Sequence, residues 1–244
     1  MRNLKRVLKV YGQAAREALR NLLRSPLLIV FSIANYFIWL GYSAVFGDWG
    51  FVGGMILGII QIVLLTYFYS WVASAVRREK ISVSDLATFD YSMFSSLLSV
   101  AFIFFIVDFV AQSMIQGLDV MQILLFLNLA LVFLFNAIPE VIVLHRYQSL
   151  PALTYALQFT RDNFLAWFIP IIVLFAPLIA LSPQAALFFF AKSDPLLPAA
   201  LIFNELGMAF GALHGGLTPI AIVVALWFTL FRMHLFLELD GRVS

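Results

Sequence analysis

The chain has no cysteine and few charged residues, and both absences limit what it can be. Without cysteine there are no disulfides, no thiolate metal sites and no cysteine catalysis. Only 11% of the 244 residues are charged, whereas 63% are hydrophobic. A soluble domain carries roughly 25% charged residues, so this chain has too few to cover itself with a water-soluble surface. The composition predicts a polytopic membrane protein that forms a single domain over residues 1–244.

Sequence motifs for catalysis and cofactor binding are also missing. The chain has no Gly-Lys-Ser/Thr phosphate loop, no GxSxG motif and no HExxH pair. Its three histidines, His145, His214 and His234, are not spaced as metal ligands. We therefore expect no catalytic residue, no metal and no cofactor, and we do not expect an enzyme. The formal net charge of +2 is small, and we expect no binding to nucleic acid.

Long hydrophobic runs occupy most of the sequence. A helix of about 20 apolar residues crosses roughly 30 Å of hydrocarbon, and inside a bilayer it satisfies its own backbone hydrogen bonds. Six windows meet this requirement, at 27–46, 51–73, 94–115, 123–144, 164–190 and 217–237. The predicted fold is all-α: a polytopic bundle of six transmembrane helices, arranged as three helix hairpins that each follow a cytoplasmic amphipathic segment.

The basic residues predict the orientation of these spans. Of the 15 lysines and arginines, 14 fall in the N-terminal segment, in the connections at 74–93 and 145–163, or near the C-terminal end. In a six-span topology these 14 lie on one side, and only Lys192 lies on the other. The positive-inside rule therefore places both termini in the cytoplasm.

Residues 1–25 predict a basic amphipathic helix at the cytoplasmic surface. Apolar residues recur at helical spacing from Leu4 to Leu22. Six basic side chains lie between them: Lys5, Arg6, Lys9, Arg16, Arg20 and Arg24. An anionic leaflet attracts such a helix by about 1 kcal/mol per basic residue. We expect contact with anionic phospholipid, and docking onto a membrane-protein partner is the alternative.

Two glycine patterns predict close helix packing. Gly54 and Gly58 form a GxxxG motif in the second span, which we expect to serve packing within the chain rather than a homo-oligomer interface. Gly207 and Gly211 belong to a series of glycines every four residues in the apolar connection at 191–216. Since non-spanning backbone at membrane depth needs a protein or cavity around it, this connection predicts an interfacial or re-entrant outer helix.

Four polar residues inside the predicted spans are candidates for function. Burying a charge in a membrane costs several kcal/mol unless it is paired, so such residues often mark transport paths. Asp108 lies in the third span, with Gln112 one turn later. Glu140 lies in the fourth span, with Asn136 one turn earlier. These residues either line a proton or solute path or form bonds between helices, and in the second case Glu140 has Arg146 as a candidate partner.

Shorter polar patterns predict local structure. Arg232 interrupts the last turn of the sixth span, and its long side chain is able to reach the interface. With His234 and Glu238 it predicts an interfacial cluster. In the connection before the third span, Ser84 or Asp85 predicts the N-cap of a short helix.

Three segments resemble a known bacterial group. They are KISVSDL at 80–86, SLPAL at 149–153, which follows Pro139-Glu140, and FTRDNFLAW at 159–167. These segments are similar to cytoplasmic segments of the YciC-like proteins and of the membrane domain of the glycerophosphoryl diester phosphodiesterases. The resemblance implies six spans in a bacterial inner membrane, with a surface helix that leads into the fifth span. It departs at 231–242. We expect no phosphodiesterase activity, since the predicted spans and their connections take up the chain.

The sequence favours a non-enzymatic bacterial inner-membrane protein. Extensive cytoplasmic surface helices, no catalytic motif and few buried charges suit an envelope-homeostasis factor or an accessory subunit of a membrane complex, acting through lipid or protein contacts. The alternative is a small transporter or permease, in which Asp108, Asn136 and Glu140 line a path and a helix at 199–215 gates the outside.

Overall fold

The computed structural model describes residues 2–114, 126–127, 129–131, 133–181 and 218–241. Within these ranges the chain is helical and has no strand. The helices are α1 (Arg2–Arg24), α2 (Pro26–Phe46), α3 (Gly50–Val76), α4 (Tyr91–Met114), α5 (Ile138–His145), α6 (Ser149–Leu181) and α7 (Thr218–Asp240). A 3-10 helix, Val83–Ala87, lies between α3 and α4.

Among the described residues, four helices are long and apolar enough to cross a membrane. They are Pro26–Phe46, Gly50–Val76, Tyr91–Ala111 and Ile222–Asp240, which correspond to the predicted first, second, third and sixth spans. The predicted spans at 123–144 and 164–190 run partly outside the described residues. The outer element at 191–216, with Gly207 and Gly211, lies wholly outside them. The helical class and four candidate spans are confirmed, and the count of six remains a prediction.

Turn residues mark the ends of the first helices. Ser25 alone separates α1 from α2, and Pro26 begins α2 at a position where its missing N–H costs no helical bond. α2 and α3 form the predicted hairpin. Gly50 opens α3 with φ +59, a left-handed conformation that glycine adopts most readily.

The glycine that close packing requires is Gly53. A Cβ atom there would clash with the carbonyl oxygen of Phe46 across the hairpin. At Gly54 and Gly58 a Cβ atom would meet nothing within 4 Å. The close helix approach that we expected at these two glycines is therefore not present among the described residues. They line an apolar groove between α3 and α4 instead.

The short helix before α4 is capped differently from the prediction. Its N-cap is Ser82, not Ser84 or Asp85. Asp85 is the third residue of the helix, and its carboxylate accepts a hydrogen bond from the N–H of Ser82 at 2.8 Å. This reciprocal capping box satisfies two backbone donors, whereas a cap at Ser84 or Asp85 alone would satisfy one.

α6 contains a kink where the sequence predicts that a surface helix leads into the fifth span. Asn163 has non-helical backbone angles, φ −117 and ψ 16, so two helical segments meet there. This is one residue before the predicted start of the fifth span. The side-chain amide of Asn163 donates to the carbonyl of Phe159 at 3.2 Å and so satisfies a carbonyl at the kink.

The core lies where the C-terminal parts of α3 and α7 meet α1, α5 and the first half of α6. Its largest fully buried side chains include Tyr69, Met93, Leu97, Ile138, Ile142, Trp167, Leu226 and Phe236. Helix α7 is central, because 61% of its apolar window is buried against 22%, 28% and 24% in the other three candidate spans. The remaining faces of α2, α3 and α4 carry many exposed apolar residues, as helices in contact with lipid do.

α1 packs against this core instead of lying on a membrane by itself. Ala14, Ala18 and Leu22 are buried. The hydroxyl of Tyr11 donates to the carbonyl of Ala166 in α6 at 2.7 Å. That carbonyl lies four residues before Pro170, which has no N–H to offer it. α1 therefore supplies a donor that α6 lacks.

Replacing Tyr11 with Phe removes only this donor. We expect Tyr11→Phe to lower the free energy of unfolding by about 1–2 kcal/mol, because the Ala166 carbonyl is left unpaired. In a Pro170→Ala background, residue 170 regains an N–H, so the same substitution should cost clearly less. Unfolding of the four proteins in detergent measures both values. Equal costs in the two backgrounds would contradict the assignment.

Candidate functional site

Glu140, one of the four sequence candidates, forms a buried ion pair with Arg232 that joins α5 to α7. Glu140 is 2% exposed and Arg232 is 7% exposed. Nε of Arg232 donates to Oε1 of Glu140 at 2.7 Å, and Nη2 donates to Oε2 at 2.9 Å. This bidentate geometry is the strong form of the guanidinium–carboxylate pair. Both carboxylate oxygens of Glu140 are therefore occupied.

Asn136 and Trp167 complete the arrangement. Nη2 of Arg232 also donates to the carbonyl of Asn136 at 2.6 Å, and Nε1 of Trp167 donates to Oδ1 of Asn136 at 3.3 Å. The indole ring of Trp167 lies 4.8 Å from Cζ of Arg232, within the range of a cation–π contact. We call Asn136, Glu140, Trp167 and Arg232 the central ion-pair site.

A break in the helix brings the Asn136 carbonyl into this site. Residues 135–137 form a turn, and α5 begins at Ile138 with Pro139 in its first turn. The carbonyl of Phe135 accepts from the N–H of Ile138 at 3.0 Å, since Pro139 has no N–H to donate. The carbonyl of Asn136 in this turn accepts from Arg232 of another helix.

The interfacial cluster expected at Arg232, His234 and Glu238 is wrong. Residues two apart on a helix lie on nearly opposite faces, so Arg232 and His234 meet different neighbours. Arg232 faces α5 and is buried rather than extended to the interface. Nε2 of His234 lies 2.9 Å from Nδ2 of Asn21, and Glu238 accepts from Nε2 of Gln13 at 2.8 Å. Both of these partners belong to α1.

The pairing of Glu140 with Arg146 is also wrong, because Arg146 binds Asp90. Nη1 of Arg146 lies 2.6 Å from Oδ2 of Asp90. Asp90 also accepts from the N–H of Met93 at 3.0 Å and so caps α4. Burial raises the pKa of Asp90, but the hydrogen bonds from Met93 and Arg146 lower it, and the net pKa lies below its ordinary value.

A second polar cluster lies at the C-terminal ends of α5 and α7, the same end of the bundle as the Asp90–Arg146 pair. Nε2 of His145 lies 3.2 Å from Oδ2 of Asp240, and the hydroxyl of Tyr155 donates to Oδ1 of the same carboxylate at 2.5 Å. The cluster joins the end of α5, the first half of α6 and the end of α7. Sequence reasoning missed it because Tyr155 and Asp240 are 85 residues apart.

The other two candidates lie elsewhere. Asp108 and Gln112 lie in the C-terminal half of α4, and their side chains are outside the described residues.

Sequence reasoning did not place Arg232 and Trp167 in the site. A signal existed for Arg232, since a basic residue inside an apolar window needs a buried acid.

The central ion-pair site is suited to connecting helices rather than to chemistry. Its two charges cancel, and it holds neither a free acid nor a histidine. In the part of the chain that the structure describes, no group of three His, Asp or Glu side chains is placed to hold a metal. The arrangement therefore suits holding α5, α6 and α7 together better than transferring a proton.

Comparison of the chain with protein-family models, with curated proteins and with solved structures finds no match in any of the three. The resemblance to the YciC-like group therefore remains a prediction, and function is argued from the geometry.

Replacing one member of the Glu140–Arg232 pair should lower the free energy of unfolding far more than replacing both. We expect Glu140→Leu or Arg232→Met alone to cost about 3–5 kcal/mol, because each leaves a buried charge unpaired. The double variant should recover most of that loss. Thermal unfolding of the purified proteins in detergent, with the level of folded protein in membranes, measures the difference. A double variant no more stable than either single one would show that the pair is not the source of the stability.

The Asp90–Arg146 pair should make stability depend on pH in the acid range. The folded pKa of Asp90 is depressed, so its contribution is present above the unfolded pKa of about 3.9 and is lost as the pH falls through the folded pKa. Asp90→Asn keeps a helix cap, since asparagine caps as well as aspartate, but removes the charge. We expect the variant to be less stable near neutral pH and equal to the wild type at low pH. A difference in unfolding free energy that does not vary with pH would contradict this.

Proposed function

We propose that this chain is a non-enzymatic bacterial inner-membrane protein that acts through lipid or protein contacts. In this proposal it has six spans and both termini in the cytoplasm. It serves as an envelope-homeostasis factor or as an accessory subunit of a membrane complex. The observation that carries the proposal is the outward face of α1.

One side of α1 is tied to the bundle. Side-chain hydrogen bonds connect it to three other parts of the chain: Tyr11 to Ala166, Gln13 to Glu238, Glu17 to Arg78 and Asn21 to His234. With the burial of Ala14, Ala18 and Leu22, these bonds set the rotation of the helix. The face turned away from the bundle is therefore presented in a defined orientation.

That outward face combines leucines with basic residues. Leu8, Leu19 and Leu23 are 59%, 50% and 73% exposed. The exposed basic residues are Lys9, Arg16, Arg20 and Arg24. The side chains of Lys5 and Arg6 lie outside the described residues. Exposed leucines beside basic residues suit an anionic membrane surface or an acidic partner.

The central ion-pair site supports contact rather than conduction. A proton or cation that passed Glu140 would have to displace a bidentate guanidinium from a buried carboxylate, and separating such a pair is strongly unfavourable. The transporter alternative then depends on Asp108, which a flux measurement tests directly.

A label at Leu19 should report what covers α1. Because the chain has no cysteine, Leu19→Cys gives a single site for an environment-sensitive fluorophore. In liposomes with anionic phospholipid we expect a blue shift and quenching by lipid-borne quenchers. The blue shift and the quenching should weaken when Arg16, Arg20 and Arg24 are replaced by Gln. Each replacement removes about 1 kcal/mol of attraction to the anionic membrane. Lys80→Cys, in the exposed turn after α3, is the control in water.

Two results would contradict the proposal. The first is a label at position 19 that stays in water both in anionic liposomes and in native membranes, because this would show that the outward face of α1 contacts neither lipid nor protein. Proton or cation flux through proteoliposomes that is abolished by Asp108→Asn would replace the proposal with a transporter. Shielding of the label from both water and lipid quenchers in native membranes would support it through a protein partner.

A further inference from the structure

The first half of α6 borders two neighbouring cavities of opposite character. One is a groove of about 690 Å³ between α6 and residues 133–134, with Phe133, Leu134, Leu157 and Phe164 among its apolar walls. Its volume lies within the range of roughly 300–1,000 Å³ that ligand sites occupy. The other is a polar cavity of about 260 Å³, and Gln158 lines both.

A buried hydroxyl without a partner lines the groove. Thr160 is 3% exposed, and its Oγ1 has no hydrogen bond within the described part of the chain. Four other buried helical hydroxyls donate to the carbonyl four residues earlier, those of Ser32, Thr66, Ser96 and Thr229, whereas the buried hydroxyl of Ser70, like that of Thr160, has no partner among the described residues. Thr160 makes no such bond. A buried donor left unpaired is unfavourable, so a ligand oxygen that reaches this hydroxyl from the groove would stabilise the bound state.

Charges of both signs lie beside the groove. Arg161 lines the groove, its side chain is 74% exposed, and Nε lies 3.0 Å from Oδ1 of Asp162. Its two terminal nitrogens make no hydrogen bond to the described residues. The polar cavity on the other side of Gln158 is lined by the carboxylates of Asp162 and Asp240. An apolar wall, a guanidinium and the carboxylate of Asp162 therefore follow one another around α6, and Asp240 at the end of α7 lies across the polar cavity.

We propose that this surface binds one zwitterionic phospholipid with a primary amine in its headgroup. One acyl chain lies in the groove against Leu157 and Phe164, and the guanidinium of Arg161 binds the phosphodiester. An ester or phosphate oxygen accepts from Thr160. The ammonium binds the carboxylate of Asp162. An anionic phospholipid without an amine would place its charge beside the carboxylate of Asp162 and leave that carboxylate unmatched.

The inference depends on the proposed placement of this end of α6 at the cytoplasmic membrane surface, and it goes further by naming the lipid. The groove runs from Thr154 before the kink at Asn163 to Phe164 after it. At 1.5 Å per residue this spans about 15 Å of helix, which gives an acyl chain a continuous apolar wall.

Native mass spectrometry of the delipidated full chain, titrated with dioleoyl-phosphatidylethanolamine or dioleoyl-phosphatidylglycerol, tests the proposal. We expect one molecule of the ethanolamine lipid per chain, with about tenfold tighter binding than the glycerol lipid, the factor that corresponds to 1.4 kcal/mol. Arg161→Gln should weaken binding of both lipids. Asp162→Asn should remove the preference between them. Thr160→Val should weaken binding of both while leaving the lipid-free protein no less stable.

A matched pair of tryptophan variants separates filling of the groove from a general effect on α6. Leu157→Trp fills the groove and should reduce occupancy by about tenfold. Leu165→Trp, at a residue that is 73% exposed and outside the groove, should leave it unchanged. Equal occupancy in the two variants, or tighter binding of the glycerol lipid in the wild type, would overturn the proposal. Either result leaves the α1 label readout intact, so failure here is distinct from failure of the proposed function.

Discussion

The bidentate pair between Arg232 and Glu140 sets the position of α7 against α5. Taking an ion out of water costs several kcal/mol unless a partner and further hydrogen bonds replace the water. Neither helix is therefore free to rotate or slide without leaving a buried charge unpaired. Helix α7 is also the central element, with 61% of its apolar window buried. The same helix also positions α1, because Gln13 and Asn21 of α1 form hydrogen bonds with Glu238 and His234 of α7.

Backbone carbonyls that lack a helical donor reinforce that arrangement at two places. The carbonyl of Asn136 lies in the turn before Pro139 and accepts from Arg232. The carbonyl of Ala166 lies four residues before Pro170 and accepts from Tyr11. Inside an apolar bundle no water replaces a missing backbone donor. At both places a side chain of another helix supplies the missing donor, so each of these carbonyls also forms a contact between helices.

The helical class, four spans and most turn positions were predictable because they depend on local physics. Ser25-Pro26, the hairpin around Gly50 and the boundary near Asn163 are set by residues close in sequence. Pairings were not predictable, since Arg232 and Glu140 are 92 residues apart and their meeting depends on how two helices rotate. The GxxxG motif failed for a related reason. It specifies small residues but not what lies opposite them, and at Gly54 and Gly58 that is a groove.

The polar links of the described residues gather at one end of the helices, the end predicted to be cytoplasmic. The central ion-pair site, the cluster of His145, Tyr155 and Asp240, and the Asp90–Arg146 pair all lie there. Alternating access requires both ends of a bundle to open in turn, and an end joined by this many bonds between helices resists opening. The same bonds hold surface elements in a defined orientation. The outward face of α1 and the groove of α6 are attached to this rigid end, which is the arrangement that a protein acting through contacts needs.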